Sequence, residues 1–88
     1  MIRRRLIVHG RVQGVGFRWA IARAADSRGV AGWVANRADG TVEAVLEGEP
    51  DAVESLIRIC SEGPRGSRVD RVDVAEEQAE GISGFGTR

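Results

Sequence analysis

Arg4-Arg5-Leu6-Ile7-Val8-His9 is followed by Gly10-Arg11-Val12-Gln13-Gly14-Val15-Gly16, and then by Phe17-Arg18-Trp19-Ala20-Ile21-Ala22-Arg23-Ala24-Ala25-Asp26-Ser27-Arg28. The first block is rich in aliphatic and β-branched side chains and predicts a strand over 4–9, with Leu6 and Val8 on one face. The second holds three glycines and reads as a loop over 10–16. The third places Phe17, Ile21, Ala24 and Ala25 at i, i+4, i+7 and i+8. That spacing makes one apolar helical stripe and leaves Arg23, Asp26 and Arg28 facing away. Gly29 is placed to end the helix.

Outward from this unit the pattern alternates. Val30–Asn36 and Gly40–Glu47 are β-rich runs joined by Arg37-Ala38-Asp39-Gly40, whose Asp-Gly pair signals a hairpin turn. In the second run Val42, Ala44 and Leu46 alternate with Thr41, Glu43 and Glu47, which predicts one buried face and one solvated face. Trp33 is expected in the core, and Asp39 as the turn residue. Pro50 opens a second helix. Val53, Leu56, Ile57 and Cys60 form its stripe, and Asp51 and Glu54 sit near its positive end. Gly63-Pro64 stops it. Residues 69–74 alternate as a strand with Val72 and Val74 inward. The Gly-rich tail has Phe85 as its one sizeable anchor.

The order is β-α-β-β-α-β. It predicts an α+β, ferredoxin-like sandwich: a four- to five-stranded antiparallel sheet with two helices on one face. With 88 residues, 1–88 is expected to be a single domain with a thin core.

Composition removes several chemistries. All thirteen basic residues are arginine, so neither a Walker A lysine nor a Schiff-base lysine is available. Any bound anion must be held by guanidinium or backbone N–H. One Cys and one His cannot supply the four ligands of a structural zinc site. No metal or other cofactor is expected. The single Cys60 allows no internal disulfide, which fits a reducing cytoplasm. Zero net charge argues against a dedicated nucleic-acid binder. The apolar run after Arg5 ends at His9, short of the roughly 7–15 residues of a signal core. No run approaches the roughly 18 apolar residues of a membrane span.

The loop carries the chemistry. Glycines let a backbone curl and converge its N–H groups, and such a nest beside a helix N-terminus binds phosphate. Arg18, in the first helical turn, can hold two phosphate oxygens with its planar fork. Plain turn chemistry explains the same glycines. A dinucleotide fingerprint fails, because the third glycine would fall on Trp19. Taken alone, Asn36 is a strand-end residue with local backbone bonds. Cys60 reads as a buried inert thiol. His9 reads as a strand-end surface side chain, and Arg3, Arg4 and Arg5 read as a solvated edge.

Two stretches together resemble the acylphosphatase family. Gly10-x-Val12-Gln13-Gly14-Val15-Gly16-Phe17-Arg18 is similar to the family's first signature. Gly32-Trp33-Val34-Ala35-Asn36-x-x-x-Gly40-x-Val42, with Gly48 beyond it, is similar to the second. The likeness runs from Leu6 to Phe85, and it implies the ferredoxin-like fold. It further implies metal-free hydrolysis of a small-molecule acyl phosphate to a carboxylate and phosphate. Arg18 and Asn36 would be catalytic, with Arg18 on the phosphoryl oxygens and Asn36 on the attacking water. N–H groups of Arg11, Val12, Gln13, Gly14, Val15 and Gly16 would complete the phosphate cradle.

Two departures stand out. Ala35 replaces a basic residue frequent in the family, so any helping charge there is absent. Gly86 and Thr87 replace β-formers and put the last strand in question. A free-standing, monomeric, cytoplasmic enzyme with no nucleic-acid or membrane partner is expected. The rival readings are a phosphate- or carbamoyl-phosphate-handling module of a larger enzyme and an RNA-binding module, for which Trp33 is the one suitably placed aromatic.

Overall fold

In the computed structural model, which describes residues 1–88, β1 spans Ile2–Arg11, longer at both ends than its apolar run. The extension follows from its place inside the sheet, where both edges are hydrogen-bonded. The helix α1 is Phe17–Arg28, closed by Gly29, whose N–H reaches the Ala25 and Asp26 carbonyls. The strands β2, Ala31–Asn36, and β3, Val42–Gly48, form the hairpin. The helix α2 is Pro50–Glu62. The fourth strand, β4, extends over Arg68–Glu77, and a fifth, β5, forms at Phe85–Thr87.

The sheet order is β4-β1-β3-β2-β5. Every neighbour pair is antiparallel except the last: β5 runs parallel to β2, pairing Gly32 with Phe85 and Val34 with Thr87. The sheet is therefore mixed. The cause is the segment from Gln78 to Gly84, which crosses from the β4 edge to the β2 edge before β5 starts. Gly86 and Thr87 suffice for β5 because main-chain pairing, helped by Arg88 N–H to the Val34 carbonyl at 2.9 Å, needs no side chain.

Register sorts the side chains. Leu6, Val8, Val34, Val42, Ala44 and Leu46 face the helices and are buried with Phe17, Ile21, Val53 and Leu56. Burying an aliphatic or aromatic side chain of this kind contributes about 1.5–3 kcal/mol. No helix is long and apolar enough to cross a membrane.

Four expectations are corrected by what lies on or beside the sheet. Val72 is half-buried but Val74 is exposed, because β4 is an edge strand that the helices do not fully cover. Arg3 is buried rather than a solvated edge, and Arg4 and Arg5 are partly covered, because β1 is an inner strand. Arg3 pairs with Glu47 and Glu77, and Arg5 with Glu43 and Glu77. Glu47 and Thr41 are buried rather than solvated. Trp33 is half-buried on the face away from the helices, with the Arg88 guanidinium 4.3 Å and the Arg5 guanidinium 5.6 Å from its ring centroid. A tryptophan gains cation–π attraction there in place of full core burial.

Candidate active site

The loop of residues 12–16 leaves β1 after Arg11 and enters α1 at Phe17. Gly14 and Gly16 have φ of 73° and 77°, a left-handed conformation that side chains strain against. No backbone N–H of residues 13–16 donates to an acceptor within the chain. The first bond of α1 runs from Ala20 N–H to the Gly16 carbonyl at 3.1 Å, so the N–H groups of Phe17, Arg18 and Trp19 are also unpaired. No side chain caps this end, and no acidic residue occupies the first turn. The positive end of the helix dipole thus stands uncompensated beside an open loop.

Arg18 is half-buried in that first turn, and its Nη1 donates to the main-chain oxygen of Arg88, the last residue of the sequence, at 2.7 Å. The contact holds one arm of the guanidinium and leaves further N–H donors of the fork available. Asn36 ends β2. Its pairing with Val42 places it on the helix-facing side of the sheet, the side from which α1 presents Arg18. Ala35 is on the opposite side, paired with Glu43, so a basic residue at that position would point away from Arg18.

Beyond Asn36 the turn is held by its own residues. Arg37 N–H donates to the Thr41 carbonyl at 2.9 Å, and the Asp39 carboxylate accepts from Thr41 Oγ1 at 2.6 Å and Thr41 N–H at 3.0 Å. Those two bonds, the hydroxyl first, hold the Asp39 carboxyl below its ordinary range. Gln13 then joins loop to turn: its Nε2 donates to the Arg37 carbonyl at 2.8 Å and the Thr41 carbonyl at 2.9 Å. Both amide hydrogens are used, and the phosphate loop is tied to the turn that follows Asn36.

A cavity of about 510 Å³ opens over this arrangement. Gly14, Gly16, Arg18 and Asn36 line it together, as does Val12. The other loop residues lie elsewhere. Arg11 ends β1 opposite Arg68 and is exposed, Gln13 makes the clamp, and Val15 packs on the core. Trp19, Arg23 and Thr87, which lie outside the residues the two signatures mark for the site, also line the cavity. The i, i+4 spacing of Trp19 and Arg23 beyond Arg18 was the available signal.

His9 and Cys60 lie apart from the cavity. His9 Nε2 is 2.8 Å from Asp73 Oδ2 and 3.1 Å from Arg71 Nη2, on the sheet face opposite the helices. Its hydrogen bond, followed by that of Arg71, lowers the Asp73 pKa. Cys60 is buried in the core, and burial pushes its thiol up to about 12, out of nucleophilic range.

Comparison with known proteins agrees with the geometry. The Acylphosphatase family model matches residues 4–87. An acylphosphatase of Thermococcus kodakarensis is 55% identical over 84 residues, which is 96% of this chain and 92% of that protein. The crystal structure of acylphosphatase from Bacillus subtilis superposes with a TM-score of 0.96 at 43% identity, covering 100% of this chain and 99% of the other. A full-length HypF in phosphate- and nucleotide-bound form contains a similar region, with a TM-score of 0.88 and 32% identity over 100% of this chain but 12% of HypF. Signatures, fold and relatives agree, and the chain belongs to the acylphosphatase family.

Proposed function

We propose that this chain hydrolyses acyl phosphates to a carboxylate and inorganic phosphate, with Arg18 and the 12–16 loop binding the phosphoryl group and Asn36 holding the attacking water. The observation that carries the reading is the convergence of three things in one cavity: the Arg18 guanidinium, a loop and helix N-terminus with unpaired N–H groups, and the Asn36 amide.

The chemistry suits the inventory. Water attacks phosphorus, the bond from phosphorus to the acyl oxygen breaks, and the carboxylate leaves. A carboxylate of pKa about 4 needs little protonation as it departs. Phosphoryl transfer has a loose transition state, so positioning and charge stabilisation dominate. A fixed guanidinium and preorganised N–H dipoles supply both, at about 2.7–4 kcal/mol per well-placed donor. An asparagine amide orients water without taking its proton, and the phosphoryl oxygens accept that proton instead. Asp26 is the carboxylate lining the same cavity, but it lies eight positions beyond Arg18, about 12 Å of helical rise.

The reading takes the 88 residues as one working unit, a monomer in the cytoplasm that needs no metal. The near-complete coverage of the Thermococcus and Bacillus relatives favours it over a module role, whereas HypF motivates the alternative.

The deciding assay is hydrolysis of acetyl, carbamoyl and benzoyl phosphate by the wild type, with and without exhaustive EDTA. Turnover that survives chelation is expected. A rate that needs added metal would reject the scheme. A bell-shaped pH profile whose low-pH limb, the rise in rate as a general base deprotonates, disappears in Asp26→Asn would reject proton transfer to the phosphoryl oxygens.

A further inference from the structure

The cavity is larger than a phosphoryl group requires, and its excess follows one row of α1. Trp19, Ala22, Arg23 and Asp26 all line it. These positions are i, i+3, i+4 and i+7, one continuous helical face leading away from Arg18. Trp19 is 65% exposed, the largest apolar side chain left open on the molecule. The Arg23 guanidinium lies 4.8 Å from its ring centroid and holds the indole in place while leaving most of it uncovered.

An acyl phosphate has two poles. With the phosphoryl pole on Arg18 and the loop, the acyl pole must leave the cradle through the rest of the cavity. We propose that Trp19, steadied by Arg23, is the acyl-group subsite of this cavity and favours substrates whose acyl group is planar and conjugated. The proposal rests on the acyl-phosphate reading above and adds the class of acyl group. Arg23 and Asp26 are of opposite charge on one row, so the wall offers no net charge to a second anionic group. What remains to recognise an acyl group is ring surface. A flat aromatic ring stacks or tilts against an indole with about 0.5–1.5 kcal/mol beyond the area it buries, equivalent to roughly two- to tenfold. A methyl group gains none of that.

The test compares kcat/KM for benzoyl phosphate and acetyl phosphate in the wild type, Trp19→Ala and Trp19→Phe. In parallel, titration calorimetry compares binding of phenylphosphonate and methylphosphonate, which needs no turnover. The benzoyl-to-acetyl ratio is expected to fall roughly three- to tenfold in Trp19→Ala and to return in Trp19→Phe, with the phenyl-to-methyl binding ratio moving alike. Ratios that stay at the wild-type value in Trp19→Ala overturn the subsite. If the wild type cleaves neither acyl phosphate, the hydrolase reading fails by itself. The phosphonate ratio then still decides whether Trp19 selects the group attached to phosphorus.

Discussion

The sheet has two ends, and each presents backbone N–H groups to an anion. At one end, where β1 finishes and α1 begins, residues 13–16 and the first turn of α1 leave their N–H groups unpaired beside Arg18. At the other, where β1 starts and β3 finishes, the Glu47 carboxylate accepts from the N–H groups of Glu80, Gly81 and Ile82 at 2.9, 2.8 and 3.1 Å, beside Arg3. The components match: consecutive N–H dipoles plus one arginine. The difference is where the anion comes from. At the tail end the chain supplies its own carboxylate, the donors are satisfied, and the result is a structural clamp. At the loop end no side-chain carboxylate meets the N–H groups; the main-chain oxygen of Arg88 takes one arm of Arg18 alone, and the unpaired N–H donors remain available to a phosphoryl group.

Exchanging the components tests this contrast. The largest effect is expected from Arg18→Gln, which should lower kcat for benzoyl phosphate by about 10²–10³-fold or more, with a melting temperature near the wild type. A variant with full activity would remove Arg18 from the phosphoryl site. Asn36→Ala comes next. It should lower kcat on the order of 10²-fold while competitive inhibition by inorganic phosphate persists, since the cradle is intact. Loss of phosphate inhibition in step with kcat would place Asn36 in phosphate binding instead.

Gln13→Ala cuts the tie between the loop and the turn. A loosened geometry should cost about tenfold in kcat, with a smaller change in melting temperature. An unaltered kcat would show that loop and turn hold their spacing without it.

Glu47→Gln probes the other end and should do the reverse: melting lowered by on the order of 10 °C, and kcat in the folded variant close to wild type. Glu47 also sets a pH dependence. The Glu80 N–H leads the contacts that hold its carboxyl below the ordinary value of 4.5. The fold favours the ionised form, so its contribution is complete above that ordinary value and is lost as pH falls through the lower native one. Melting curves across pH 2–6, roughly the span of an ordinary glutamate titration, should show a shallower acid slope in Glu47→Gln than in the wild type. Parallel slopes would show that other carboxylates govern acid unfolding.

Much of the site could be read in the chain because its parts are local. Gly14, Gly16 and Arg18 fall within one loop and one helical turn, and strand-loop-helix patterning places them together. Asn36 is legible as the end of a strand before an Asp-Gly turn. That Asn36 meets Arg18 depends on register: the pairing with Val42 sets the face on which it lies, and periodicity alone carries no information about a partner strand. Gln13 illustrates the same limit. Its residue type suits a loop, but its two acceptors belong to Arg37 and Thr41, far along the chain.

The sheet face away from the helices meets a related limit. Alternation with Val42, Ala44 and Leu46 reads Glu47 as solvated, the run Arg3-Arg4-Arg5 reads as a solvated edge, and the indole of Trp33 in a β-rich run reads as core. Alternation tells which residues share a face and not what covers that face. Here ion pairs between neighbouring strands, the Gln78–Gly84 crossing and the Arg88 side chain cover it.

The sequence by itself determined the order and type of the elements, the apolar face of each, and the glycine loop that opens the first helix. Those properties come from side-chain periodicity and backbone conformation over a few residues. Only the tertiary structure decided strand register, the parallel fifth strand, the buried Arg3–Glu47 pair and the meeting of Arg18, Asn36 and Trp19 around one cavity. Each of these joins residues distant in the chain, and their energies depend on which groups are brought together and hidden from water.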